Sequence, residues 1–228
     1  MMSSDEMFIF LKDKFPELTS MLDKVGVLDI PSLMKNPYSA LIGIIAGQRI
    51  SFKRARAIRK MIYENIEKMQ SAAGKPIEGT NFTRDEIIAC HSQLNKLECW
   101  PIIERLNAFL SDKPINFLDT YNPKIIENIR SLNEVKGIGP WTIESTILCA
   151  LVGNDICNLT DYDIFPVGDK FLQNALIRLN NNNNINNNNI NNENKIVKLT
   201  MKEIKKITDK WSPYRGYITW YFWRWFPN

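Results

Sequence analysis

Residues 132–151 read LNEVKGIGPWTIESTILCAL, and the fold turns on Gly137 and Gly139, one residue apart in that run. Before them Ile125, Ile126, Ile129 and Leu132 recur at helical spacing, and after them Trp141, Ile143, Ile147, Leu148 and Leu151 do the same. A helix, a tight turn and a second helix opened by Pro140 are therefore predicted. Two uses fit such a turn. Glycines tolerate positive φ and let main-chain N–H groups approach a phosphate at a helix N-terminus. Equally, a glycine can simply cap the first helix of an ordinary αα-turn.

Working outward, apolar residues recur at three-to-four spacing almost everywhere, and no turn dipeptide joins two alternating runs, so the class is all-α. Helix starts are expected at Asn36-Pro37 before YSALIGIIAG and at Asn122-Pro123 before KIIENIRSL, each an N-cap with proline at the first helical position. Thr200 and Glu203 have the spacing of a capping box. Residues 180–194 are almost entirely asparagine and cannot bury enough surface to offset the entropy of ordering them. They read as a flexible insertion lengthening the connection between LQNALIRL and MKEIKKITDKW.

A chain of 228 residues, 44% hydrophobic, is long enough for one large domain or two small lobes. No apolar run is of membrane-spanning length and MMSSDEMFIFLKDKF has no cleavable signal pattern, so a soluble, intracellular protein without a membrane partner is expected. Cys90, Cys99, Cys149 and Cys157 form no C-x-x-C pair and read as reduced packing residues, and the lone His91 has no matched partner for a metal site or triad. The net charge of +4 leans weakly toward an anionic partner.

LNEVKGIGPWTIESTILCAL, followed by DIFPVGDKFLQNAL at 163–176, resembles the helix–hairpin–helix (HhH-GPD) DNA glycosylase superfamily, and within it the 3-methyladenine DNA glycosylase II family. NPYSALIGIIAGQRISFKRARAI at 36–58 is similar to that family's first core helix, G-Q turn and next helix, and WSPYRGYITWYFWRWF at 211–226 to its C-terminal W-x-P-[YW]-R-S helix. The likeness runs from near residue 20 to the C-terminus, leaving out the asparagine tract. It implies a single domain over 1–228 made of two helical lobes around a DNA-binding cleft, one lobe from the middle of the chain and one from both termini, in the compact form without an N-terminal β domain. It also implies a monomeric, monofunctional DNA glycosylase of base excision repair, nuclear if the source is eukaryotic. Its partner would be damaged double-stranded DNA, and its reaction hydrolysis of the N-glycosidic bond of a flipped alkylated purine such as 3-methyladenine. Other readings stay open: a glycosylase for oxidised, deaminated or mismatched bases, a catalytically inert DNA-binding module, or a helical interaction scaffold.

Asp169 follows Gly168 and precedes the helical pattern Leu172, Ala175, Leu176 and Leu179, so it is expected at a helix start, where the dipole favours its ionised form. It can merely satisfy that dipole. The resemblance implies instead that it is the catalytic carboxylate, stabilising the oxocarbenium-like sugar and orienting water. Asp161 and Asp163 match no catalytic position. Bifunctional relatives carry a Schiff-base lysine two residues after the second glycine, where this chain has Trp141, so no lyase step is implied. Trp141 and Tyr214 match base-pocket aromatics that select a cationic base by cation–π attraction, although aromatics at helical spacing serve packing equally well. A third family aromatic is replaced by Ser145, which leaves the preferred lesion open.

For DNA, the family pattern puts the wedge and its neighbour at Gln48 and Arg49, where the Arg49 guanidinium can stack or simply bind phosphate, in what is otherwise a polar turn between helices. Ser51 is an expected N-cap, and Lys53, Arg54, Arg56, Arg59 and Lys60 punctuate a helix whose apolar side is Ala55, Ile58, Ile62 and Ile66. Lys136, Gly137, Gly139, Thr142 and Arg215 complete the candidate DNA contacts. No catalytic cofactor is expected. The resemblance adds a structural sodium or potassium ion on the backbone carbonyls of Asn133, Val135 and Ile138.

Overall fold

The structure, a computed structural model, describes residues 2–30, 35–75, 81–152, 160–186 and 199–225. In chain order its helices are α1 (Ser4–Lys14), α2 (Thr19–Val25), α3 (Pro37–Ile45), α4 (Phe52–Ala72), α5 (Arg84–Ala89), α6 (His91–Leu94), α7 (Trp100–Ser111), α8 (Ile125–Ser131), α9 (Pro140–Leu151), α10 (Lys170–Asn186), α11 (Met201–Thr208) and α12 (Arg215–Trp225). Short 3-10 turns lie at Pro16–Leu18, Leu132–Glu134 and Asp209–Trp211. The protein is all-α, with no strand among the described residues. None of these helices is long and apolar enough to cross a membrane. The chain divides into two compact units, one of Met1–Leu33 with Val152–Asn228 and one of Met34–Leu151.

The middle unit is organised on α3, every residue of which is buried, and its most extensive partner is α9. The start of α3 is as the sequence suggests: Asn36 accepts the Ser39 N–H at 2.7 Å and Pro37 fills the first helical position. α4 turns Ala55, Ile58, Ile62, Ile66 and Gln70 inward and most of its charges outward. α8 begins later than Asn122-Pro123 suggests. The Asn122 side chain accepts the Lys124 N–H at 2.9 Å in a tight local turn, which delays regular helix to Ile125.

The terminal unit joins α1 and α2 to α10, α11 and α12, with α12 packed on both α2 and α10. Its core is aromatic. Phe165, Trp211 and Phe222 meet with ring centroids 5.6–5.9 Å apart, and the buried Trp211 indole donates to Glu17 at 3.1 Å. The capping box of α11 is formed, Thr200 accepting the Glu203 N–H and Glu203 accepting the Thr200 N–H. α10 continues to Asn186, so the first part of the asparagine tract carries on the helix nucleated by Leu172, Ala175, Leu176 and Leu179, and the tract from 187 to 194 lies outside the described residues. Cys90 and Cys99 are free and buried, Cys149 is free and half-buried with burial pushing its thiol up to about 11, and Cys157 lies outside the described residues.

Candidate nucleic-acid interface and catalytic carboxylate

The two turns marked for DNA both lie in the middle unit, and one side chain joins them. The turn after α3 is tightened by Gly47 N–H to Ile44 and Gln48 N–H to Ile45, and it ends in Arg49 at φ 56°, exposed and the one non-glycine among the described residues with positive φ. A left-handed arginine costs on the order of 1 kcal/mol, and such strain gathers at functional turns. Gln48 beside it is half-buried. Its Nε2 donates to the Gly137 carbonyl at 3.1 Å and to Thr142 Oγ1 at 2.7 Å, tying the Arg49 turn to the hairpin.

In the hairpin the glycines differ. Gly137 has φ 104°, and a Cβ there would meet Ile102 at 3.0 Å, so backbone and packing both demand glycine. Gly139 does not take positive φ, and a Cβ there would point into open space. Its carbonyl accepts the Ile143 N–H at 3.1 Å, making it the residue from which α9 starts. Arg105 Nε donates to the Lys136 carbonyl at 2.8 Å, while the Lys136 side chain is exposed. Thr142 is 2% exposed, and its hydroxyl oxygen receives Gln48 while its carbonyl receives the Thr146 hydroxyl. The Val135 carbonyl accepts the Ile138 N–H at 2.9 Å. Among the described residues no group of His, Cys, Asp and Glu side chains is arranged to hold a metal.

α9 is buried along most of its length, and Trp141 and Glu144, one turn apart, are half-buried on its more open side. Burial pushes the Glu144 carboxyl above the ordinary glutamate range. On α4, Ser51 accepts the Arg54 N–H at 3.3 Å, as an N-cap should. Arg54 pairs with Glu98, Arg59 donates to the Gly43 carbonyl at 2.6 Å and Lys60 sits 3.6 Å from Glu64. Lys53 and Arg56 are exposed, with no ion pair among the described residues. Beside them Phe52 is 51% exposed at the first position of α4. Its ring is exposed beside these cations, and the sequence offers no motif that singles it out.

In the terminal unit Asp169 caps α10. Its Oδ1 accepts the Phe171 N–H at 2.8 Å and the Leu172 N–H at 3.3 Å, and its Oδ2 receives the Trp223 indole N–H at 3.4 Å. Tyr214 belongs to another cluster, its ring 4.9 Å from Phe10 and 6.3 Å from Phe15, with the Lys14 ammonium 4.6 Å above it. A cation is thus already held against the ring that was expected to hold a cationic base. Arg215, the other candidate DNA contact of this unit, is engaged by two carboxylates. Its guanidinium grips Asp163 in a two-pronged pair at 2.9 Å and 2.9 Å and reaches Asp209 at 3.1 Å. Burial works to raise the Asp163 carboxyl, but hydrogen bonds from Arg215 and Ser212 and the Arg215 charge outweigh it and hold it below the ordinary aspartate range.

No family model matches the chain, and no curated protein is similar to it at a meaningful level.

Proposed function

We propose that this protein is a monofunctional DNA glycosylase of the helix–hairpin–helix type that releases alkylated purines such as 3-methyladenine from damaged double-stranded DNA. The two-lobed glycosylase fold around a DNA cleft and a nuclear or other intracellular site of action belong to the same proposal. The observation that carries it is the Gln48 brace, which sets a strained, outward Arg49 beside a glycine hairpin whose second glycine neither the backbone nor the packing requires. A glycine with open space in front of it is what close approach by a phosphate needs. Lys136, Lys53 and Arg56 supply exposed positive charge, and Arg49 or Phe52 fills the gap left by a flipped base. Backbone carbonyls of Asn133, Val135 and Ile138 would hold a sodium or potassium ion, which supplies positive charge toward the phosphate.

In this reading Asp169 does the chemistry. As the glycosidic bond stretches, positive charge grows on the sugar, and the carboxylate stabilises it while water adds. Trp141, standing where bifunctional relatives have lysine, offers no amine for a Schiff base, so the product is an intact strand with an abasic site. Incubation of methylated DNA with the protein tests this: 3-methyladenine leaves and the strand stays uncut. Release of no damaged base would contradict it.

A second reading, a glycosylase for oxidised or deaminated bases, is favoured by Ser145. Its buried hydroxyl has no hydrogen-bond partner among the described residues and lies one turn beyond Trp141. Release of hypoxanthine or 8-oxoguanine in preference to 3-methyladenine would select that reading.

A further inference from the structure

We propose that Trp223 is a positioning residue for Asp169, its indole N–H setting the orientation of the carboxylate oxygen that faces the sugar; this rests on the reading of Asp169 as the catalytic carboxylate. The two oxygens of Asp169 have different duties. Oδ1 is committed to the first turn of α10 through the Phe171 and Leu172 N–H groups. In this reading Oδ2 meets the developing positive charge, and the Trp223 Nε1–H lies 3.4 Å from it. A donor on the second oxygen helps to fix the plane of a carboxylate whose first oxygen caps a helix.

The indole is itself held. Trp220 packs edge-on against it, centroids 5.4 Å apart at 81°, and α12 lies along α10, so the donor and the carboxylate are carried by two packed helices. Indole N–H is a donor only and favours the ionised carboxylate, the form the reaction uses. The contact is longer than an ideal hydrogen bond, which is common in catalytic sites before substrate closes them. Trp223 is therefore distinct from the fully buried Trp211 and Phe222 of the same unit: it is half-buried and its polar edge is turned to the reacting carboxylate.

The test compares the full-length wild type, Trp223→Phe and Asp169→Asn on methylated duplex DNA under single-turnover conditions. A fourth protein carries β-(3-benzothienyl)alanine at position 223, in which sulfur replaces the N–H and ring shape is kept; it stands in should Trp223→Phe not fold. The expected result is a rate loss of about tenfold or more in both position-223 variants, the worth of a hydrogen bond to a charged group. Affinity for an abasic-site duplex should stay within about twofold of wild type, since the contact acts on the reacting carboxylate and not on the DNA backbone. Wild-type rates from the benzothienyl protein, or a parallel loss of rate and affinity, would overturn the proposal for Trp223. Undiminished release by Asp169→Asn would overturn instead the reading on which it rests.

Discussion

The Gln48 side-chain amide donates to Thr142 Oγ1 at 2.7 Å across 94 positions of sequence, and the same nitrogen reaches the Gly137 carbonyl. One side chain therefore fixes the hairpin against the turn that carries Arg49. Gln48→Ala removes both bonds and strands a buried Thr142 oxygen, so a stability loss of about 1–2 kcal/mol is expected. Abasic-duplex affinity should fall with it, because the two turns lose their common register. Chemical denaturation and a binding titration check this, and an unchanged midpoint with unchanged affinity would remove the brace from the account.

The hairpin glycines should separate stability from binding. Gly137→Ala forces a Cβ into Ile102 at a φ of 104° and should cost about 1–3 kcal/mol. Gly139→Ala points its methyl into open space, so stability should stay within about 0.5 kcal/mol while affinity for duplex DNA falls. Equal affinity for Gly139→Ala and wild type would show that nothing approaches that face.

Arg215 and Lys53 should behave in opposite ways. Lys53 is exposed, and Lys53→Ala should lower the salt slope of duplex binding by about one without changing stability. Arg215→Gln should leave the slope alone and destabilise by about 2 kcal/mol, since it leaves Asp163 in place without its charged partner. The sign with pH follows from Asp163, whose folded carboxyl is held below its ordinary value. Its contribution is present above the unfolded value of about 3.9 and is lost as pH falls through the folded one. The stability gap between wild type and Arg215→Gln should therefore be full near neutrality and close in acid below about pH 4. A gap independent of pH, or a changed salt slope, would contradict this.

What the sequence made legible was local. Asn36 with Pro37, Ser51, and Thr200 with Glu203 cap the helices they were expected to cap, because each acts within one turn of chain. The all-α class followed from apolar spacing. Asn122 misled because its side chain closed a turn before the helix. Distant pairings were not legible. The Trp223 donor to Asp169 is 54 positions away, and Arg215 finds Asp163 across 52, so spacing could not tell a core ring from a donor or a phosphate arginine from a structural one. Phe10, Phe15 and Lys14 around Tyr214 come from the other end of the chain, where no motif pointed to them.

The central claim is that Asp169 breaks glycosidic bonds in damaged DNA. Its most direct test is incubation of methylated duplex DNA with wild type and with Asp169→Asn, identifying the released bases by chromatography. The account predicts release of 3-methyladenine by the wild type and a loss of about 100-fold or more for Asp169→Asn, as expected when a preorganised charge at the reacting centre is removed. Asn also caps helices well, so the fold should persist in the variant. Equal rates of release from the two proteins would contradict the account.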